Sequence, residues 1–489
     1  MRISERVDVL SPSVLAIEDA ASPSGESANV SRTAMTLDVG GETAIIMTIY
    51  RILIPNIRIN NGGLQMSLKV ERNISVGDFS TWGLVAWDFD DFHTRELPRR
   101  LTTGVNEQIS WDLEGAAPFS IVLEDGRSYS YAIDGDTVRI VAGVHDHAPC
   151  VIEIEERAWQ NYVHELRTPA SLVLSQAVRF LRGGMGEWDV WAPAIQCMYS
   201  GREIFDPSKP LCGAQGQPLD LHRKFTLADD HEEMSNFLQT AGYLIVRGAM
   251  THRLQEITDE IERIRQESCE GEIFSWWTEN LASGERFPYR LMFISERSQL
   301  VRSLMNEDPT VAMLAALARK DLIPLHDRGQ GAMSVLKPFG VGSKLAPSIA
   351  GNLGWHTDCG LGGCKIMCPS VNIGIHLDAA GPQSSQLWAI AGTNGRSVHH
   401  ATSMGADAPN AVPLDTSPGD VTIHYSCSMH AGPPPTGPNQ RRTLYLPFYS
   451  PDTLRLLGPF QSFEQVLPGY GSGNIPSLDQ IANEQSVYG

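Results

Sequence analysis

Between Phe119 and Ile154 apolar and polar residues alternate with a period of two, the spacing that sets one face of a strand against a core. Phe119–Glu124 and Tyr129–Ile133 are joined by Asp125-Gly126, a hairpin dipeptide because both residues tolerate the positive φ of a tight turn. A second pair, Asp134-Gly135, leads into a strand over Thr137–Val141, and another strand is predicted over Val151–Ile154. The period then lengthens to that of a helix over Glu156–Glu165, and a further helix is expected over Ala170–Leu181. Upstream, Ser11–Ser31 is rich in Ser, Ala and Pro, and Thr43–Ile59 reads as strand material without a motif. Residues 1–104 are therefore taken as a mostly β segment with no assigned role.

Ser208–Asp220 is rich in Pro and Gly, which makes residues 207–224 a linker. Beyond it Leu227–Thr240 has the pattern of an acidic amphipathic helix and Gly242–Arg247 that of a short buried strand, while Leu254, Ile257, Ile261 and Ile264 recur on one helical face. From Gly331 onward short strands alternate with Gly, Pro, Asn and Ser clusters, the pattern of a jelly roll. The expected fold is an α+β domain over 105–206 followed, over 225–489, by an all-β double-stranded β-helix with flanking helices.

At 489 residues the chain has room for two or three domains at roughly 150 residues each. Its 38 Lys and Arg against 57 Asp and Glu leave a net charge of −19, a field that repels nucleic acid and anionic lipid headgroups. The apolar stretch Thr43–Ile54 is broken by Arg51 and stops at Pro55, short of the ~20 residues a membrane span needs. The N-terminus lacks the apolar core of a signal peptide, so a cytoplasmic location is expected. Cys359, Cys364 and Cys368 are spaced by four and three, which is not a zinc pattern, and are read as buried thiols.

The chemistry concentrates at His356-Thr357-Asp358. On an extended segment residues two apart share a face, so one imidazole and one carboxylate can reach the same ion. A third ligand is available about 70 residues on, where a strand starting at the Gly419-Asp420 turn runs to His430. Two histidines and one carboxylate leave coordination positions open, the arrangement of non-haem Fe(II) oxygenases. Arg441 follows across a Pro- and Gly-rich turn, and a hairpin return would carry its guanidinium back beside the metal. Its neighbour Arg442 points to the opposite face of the strand.

This set, with the entry formed by the Gly242–Arg247 strand and the helix after it, resembles the phytanoyl-CoA dioxygenase family of Fe(II)/2-oxoglutarate-dependent oxygenases over residues 225–450. In that family the segment between the ligands ends in Pro-Gly-Ser-His; here Ala391 and Asn394 replace its Pro and His. The resemblance implies a cupin-like jelly roll in which His356, Asp358 and His430 bind Fe(II) and Arg441 pairs with the distal carboxylate of 2-oxoglutarate. It also implies O2 as co-reactant, a small-molecule substrate, and release of succinate and CO2. The carboxylate of Asp358 stands where related halogenases carry a small residue, which favours hydroxylation, desaturation or ring formation.

Other residues are weaker candidates. Lys337, on the strand Met333–Pro338, is a candidate contact for a cofactor carboxylate, against the usual fate of a solvated lysine. Asn372 and His376 share one face of Val371–Asp378 and are candidates for cofactor or pocket contacts; His376-Leu377-Asp378 is otherwise a decoy inside an apolar run. Trp355, Trp388 and His424 are further pocket candidates, each with ordinary core packing as the plainer reading. Gly469–Gly473 lacks phosphate-loop spacing and is read as a loop.

The order of strands and helices over 105–206 resembles the sterol-carrier-protein-like domain, which implies an apolar tunnel and a lipid-like substrate. That leaves a second function class open: a lipid-binding or transfer protein with a catalytically silent jelly roll. The sequence leaves substrate identity and oligomeric state open.

Overall fold

The computed structural model describes residues 82–453, apart from 103–105, 175–176, 271, 273, 280–283, 328–329, 338–352, 362–364, 366–367, 400–407, 434 and 438, together with four short strands between residues 32 and 50. Chain contacts divide it into two units, Met1–Glu71 and Arg72–Gly489. In the first, Arg32–Ala34 pairs with Thr48–Tyr50 and Leu37–Val39 with Glu42–Ala44, all antiparallel. Ser11–Ser31, residues 45–47 and 51–59 of the expected Thr43–Ile59 strand, Cys364 and the Gly469–Gly473 loop lie outside the described residues.

The second unit opens with a five-stranded sheet in the order Thr137–Ala142, Ser128–Asp134, Phe119–Leu123, Cys150–Ile154, Val178–Arg182. Phe119–Leu123 and Cys150–Ile154 run parallel, and the other neighbours are antiparallel. The helix expected over Ala170–Leu181 is instead a helix over Pro169–Leu174 followed by the strand Val178–Arg182. Tertiary pairing overrides the local apolar run there, because Val178–Arg182 lies beside Cys150–Ile154 and Arg179 reaches Glu153 across the strands at 2.7 Å.

The expectation of β structure before residue 105 also fails for the residues next to that boundary. Phe89–Asp91, Phe92–Glu96 and Leu97–Arg100 form a continuous helical run, started by Asp88, whose carboxylate accepts from the backbone N–H groups of Asp90 and Asp91. Phe89, Phe92 and Leu97 enter the core beneath the five-stranded sheet. The helix Met185–Ser200, which the sequence reading did not register, completes that layer despite Pro193 and ends at Gly201 with φ +77°.

Aromatic side chains fill the space between this sheet and its helices. Trp159, Trp188, Trp191, Tyr131, Tyr199 and Phe119 are fully buried, and the Trp159 ring lies 4.9 and 5.4 Å from those of Phe89 and Phe92. Side chains thus occupy the layer where an apolar tunnel was expected. Trp276, Tyr289, Met292 and Phe293, from beyond the linker, join the same core, so the two halves of the unit share one apolar seam.

The jelly roll pairs a large sheet with a small one. The large sheet runs Tyr243–Val246, Val421–Tyr425, Val371–His376, Arg441–Tyr449, Met333–Lys337, Arg286–Leu291, Ser275–Glu279, with Ile323–Pro324 also against Arg441–Tyr449. The small sheet runs Leu353–His356, His430–Gly432, Leu387–Ile390, Ala411–Leu414. On the outer face of the large sheet Ile373, Ile375, Ile423, Leu444 and Leu446 pack in one core with Phe237 and Leu238 of the helix His231–Ala241 and Ile257 and Ile261 of the helix Leu254–Glu267. The other face carries Asn372, Gly374, His376, Thr422, His424, Arg441, Thr443 and Tyr445, which the register places side by side. One face is therefore a hydrophobic core and the other a buried polar surface. Among the described residues no helix is long and apolar enough to cross a membrane.

Within the first core His93 is a buried titratable group. Its Nδ1 donates to the Phe89 carbonyl at 2.7 Å and its Nε2 accepts from the Tyr131 hydroxyl at 2.6 Å, which fixes the neutral ring. Burial, only partly offset by the Phe89 bond, lowers its pKa to about 4. Between pH 6.5 and 4 the unfolded chain takes up a proton there that the folded chain refuses, so stability falls with pH by about 3 kcal/mol across that window. Urea unfolding at pH 7 and pH 4 is expected to show this loss, and His93→Gln to reduce it; an identical pH dependence in the variant would remove His93 as its source.

Candidate metal centre

The two sheets meet at a cluster of three side chains able to ligate a metal ion. The strand Leu353–His356 brings His356 directly opposite His430 of His430–Gly432, and the chain turns at once into a short 3-10 segment that starts with Asp358. His356 Nε2 lies 3.5 Å and His430 Nε2 3.6 Å from Asp358 Oδ1, and the two imidazole rings are 4.2 Å apart. One ligand atom from each residue falls within 4.8 Å of the others, close enough to surround a single ion.

The far side of each ring is already committed. His356 Nδ1 donates to the Gly354 carbonyl at 2.8 Å and His430 Nδ1 to the Ser428 carbonyl at 2.9 Å. A carbonyl only accepts, so the proton sits on Nδ1 in both, and both Nε2 lone pairs face Asp358. Burial lowers the pKa of His430 to about 3, aided by neighbouring His356 and opposed by Asp358, so it is neutral, the form that binds metal. Burial pushes the Asp358 carboxyl up, but His430, His356 and His424 outweigh it and hold the group well below the usual carboxylate range. Two imidazoles with their Nε2 atoms turned inward and an ionised carboxylate are a donor set that fits a divalent transition metal.

Asn372 and His424 act on Asp358 itself. They sit opposite one another in the large sheet; Asn372 Nδ2 donates to Asp358 Oδ2 at 2.6 Å and His424 Nε2 lies 3.6 Å from the same oxygen. Asn372 was expected to touch a cofactor, whereas its bond restrains one carboxylate oxygen and leaves Oδ1 facing the histidines. His424, expected as a lining residue, has its ring 4.6 Å from that of His430.

Arg441 and Arg442 part as strand alternation requires. Arg442 forms a bidentate pair with Asp378 at 2.8 and 2.9 Å, which also removes Asp378 from any second His-and-Asp site. Arg441 is buried on the polar face, donating to the Ser385 carbonyl at 2.6 Å and the Tyr445 hydroxyl at 2.7 Å, while its Nε has no partner among the described residues. Lys337, directly across the register from Arg441, is buried rather than solvated and donates to the Gly432 and Pro433 carbonyls at 2.8 and 3.2 Å. Burial, then the charges of Arg441 and Arg290, push its pKa well below the usual lysine value. Arg441 and Lys337 thus share the buried polar face beyond the ligands, and the planar fork of Arg441 is the group there that suits a carboxylate.

His376 lies on the same face, 3.1 Å from the Thr422 hydroxyl, with burial and Arg441 holding it neutral. Trp355 is half-buried beside His356. Trp388 does not reach the centre: Ala389 pairs with His430, so Trp388, one residue away, points to the other face. The sequence reading missed Tyr445 and Gly374. A Cβ on Gly374 would come within 2.8 Å of the Tyr445 ring, so its absence lets Tyr445 lie across the strand and meet Arg441. The spacing of Arg441, Thr443 and Tyr445 at i, i+2 and i+4 was the available signal.

The loops behind the ligands are tied to the helices outside. Gly242, at φ +86°, caps the helix His231–Ala241, and its carbonyl accepts from Tyr425 N and from Ser428 Oγ. Asn394, where the family motif has His, donates to the Gln239 carbonyl at 2.8 Å, anchoring the Ala391–Asn394 loop to the same helix.

The model of the phytanoyl-CoA dioxygenase (PhyH) family matches residues 238–443, which contain His356, Asp358, Asn372, His424, His430 and Arg441. No curated protein matches the chain. Among solved structures it is similar to AviO1 from Streptomyces viridochromogenes Tue57 at 21% identity, covering 45% of this chain and 96% of that one, with a TM-score of 0.35. It is similar to EvdO2 from Micromonospora carbonacea var. aurantiaca complexed with 2-oxoglutarate at 16% identity, covering 49% and 96%, with a TM-score of 0.34. It is also similar to SnoN, described as a non-heme alpha ketoglutarate dependent epimerase from nogalamycin biosynthesis, at 16% identity, covering 45% and 80%, with a TM-score of 0.34.

Releasing Asp358 from Asn372 lets the carboxylate rotate. Asn372→Ala is expected to weaken divalent-metal affinity by about 10- to 100-fold with an unchanged circular dichroism spectrum. Wild-type metal affinity in that variant would show that the bond has no hold on the ligand.

Proposed function

We propose that this chain is a non-haem Fe(II)- and 2-oxoglutarate-dependent oxygenase that oxidises an unactivated C–H bond of a small molecule. The observation that carries the reading is the pairing of a two-histidine, one-carboxylate cluster with a buried, carboxylate-free guanidinium on the same polar face. His356, Asp358 and His430 would hold Fe(II), and Arg441 would take the distal carboxylate of 2-oxoglutarate. When bound, Fe(II), 2-oxoglutarate and O2 supply the oxidising power, with succinate and CO2 as co-products.

The protein contributes orientation and exclusion of water. The Nδ1 bonds of His356 and His430 hold the rings in the ligating tautomer, and Asn372 restrains the carboxylate between them. Ser385 and Tyr445 fix the Arg441 fork in place before any anion arrives, which lowers the cost of ordering it on binding. Asp358 fills the ligand position that halide would need, which favours hydroxylation, desaturation or ring formation over halogenation. The aromatic filling of the α+β domain counts against lipid carriage as the chain's main role.

Anaerobic addition of Fe(II) and 2-oxoglutarate is expected to produce a weak visible charge-transfer band that is lost in His356→Ala; metal-loaded wild type without the band would overturn the reading. Arg441→Leu is expected to raise the KM for 2-oxoglutarate by about 100-fold, the scale of one desolvated charge-assisted pair. Uncoupled succinate release measured against 2-oxoglutarate concentration reads that shift, and an unchanged KM would remove Arg441 as the anchor.

A further inference from the structure

The α+β domain and the jelly roll are stitched together along one edge. Phe205 N donates to the Ser397 carbonyl at 2.9 Å, Ser397 N to the Glu203 carbonyl at 2.8 Å and Lys365 N to the Glu165 carbonyl at 3.1 Å. The seam does not close completely. A crevice of about 40 Å³ is lined by Arg167 and Arg202 from one side and by Thr357, Cys359 and Arg396 from the other. Beside it opens a recess of about 470 Å³, which shares Glu165, Arg202 and Cys427 with the crevice and adds Lys365. That volume is in the range of small-molecule sites.

The charges around this cleft do not balance. Arg167, Arg202, Arg396 and Lys365 face one carboxylate, Glu165, in a chain whose net charge is −19. Glu165 is fully taken by Arg202, through bonds of 3.0 and 2.8 Å, and Arg396 has Glu203 at 3.8 Å. Arg167 has no such partner. It is 4% exposed, its Nη1 reaches only the adjacent Leu166 carbonyl at 3.3 Å, and its Nη2 has no partner among the described residues. Burial alone acts on it, drawing its pKa down to about 10, with no carboxylate to hold it up. A guanidinium buried without a counter-charge is costly, and a bound anion offsets that cost.

We propose that this cleft binds a small molecule through a carboxylate or phosphate group seated on Arg167, with the body of the molecule in the adjoining recess. The site is separate from the metal cluster but not remote from it, because Thr357 and Cys359 flank Asp358 in the chain. A ligand here bears on the segment that carries two of the three ligating residues. The proposal does not depend on the oxygenase reading, since binding is measured on metal-free protein.

Isothermal titration of the full-length, metal-free chain with inorganic phosphate and with acetate tests it and separates the two anion classes. Wild type is expected to bind at least one of them, and Arg167→Leu to bind it at least tenfold more weakly. Arg167→Lys keeps the charge but loses the planar fork, and is expected to bind at least threefold more weakly while folding normally. With no anion present, Arg167→Leu is expected to melt at or above the wild-type temperature, because it removes an unpaired buried charge. Failure of wild type to bind either anion, or wild-type affinity in both Arg167 variants, overturns the proposal. So does binding that survives in Arg167→Leu but is lost in Arg441→Leu, which would place the anion in the jelly roll.

Discussion

The carboxylate of Asp358 is the point on which the jelly roll's interior depends. One oxygen faces His356 and His430 of the small sheet, and the other is held by Asn372 and approached by His424 of the large sheet. Each of these groups is expensive to bury alone, and together they satisfy one another only if both sheets keep their register. The apolar contacts on the outer face of the large sheet supply the stability that lets its inner face remain polar. Packing and chemistry are thus divided between two faces of the same strands.

That division explains how much of the site was legible. Strand alternation alone separates Arg441 from Arg442 and groups Asn372 with His376, and both groupings are present in the structure. The ligand set required more than local pattern, because His356 and His430 are brought together by cross-strand pairing over a long stretch of chain. What one sequence could not convey was depth. Lys337 and a solvated lysine look alike in sequence, and Trp388 shares its strand with Ala389 while facing the other way.

The α+β half was less transparent for a related reason. Its hairpins stand out because Asp-Gly turns are local signals, and the strands Phe119–Leu123 and Ser128–Asp134 are where the pattern put them. The strand Val178–Arg182 owes its form to a partner far away in sequence, and the helix Met185–Ser200 survives an internal proline because Trp188, Trp191 and Ile195 are buried along its length. The helical run Phe89–Arg100 belongs to that core through Phe89 and Phe92, whose partners are aromatic rings that local periodicity cannot point to.

The contrast between the acidic exterior and the cationic interior has a kinetic consequence. With a net charge of −19 the protein's long-range field opposes the approach of the anions that Arg441 and Arg167 are proposed to receive. Added salt shortens the reach of that field to ~10 Å or less without greatly weakening contacts made inside. Under the proposed roles, moderate ionic strength would speed the encounter with an anion, the reverse of electrostatic steering, and selectivity would reside in the final few ångströms rather than in the approach.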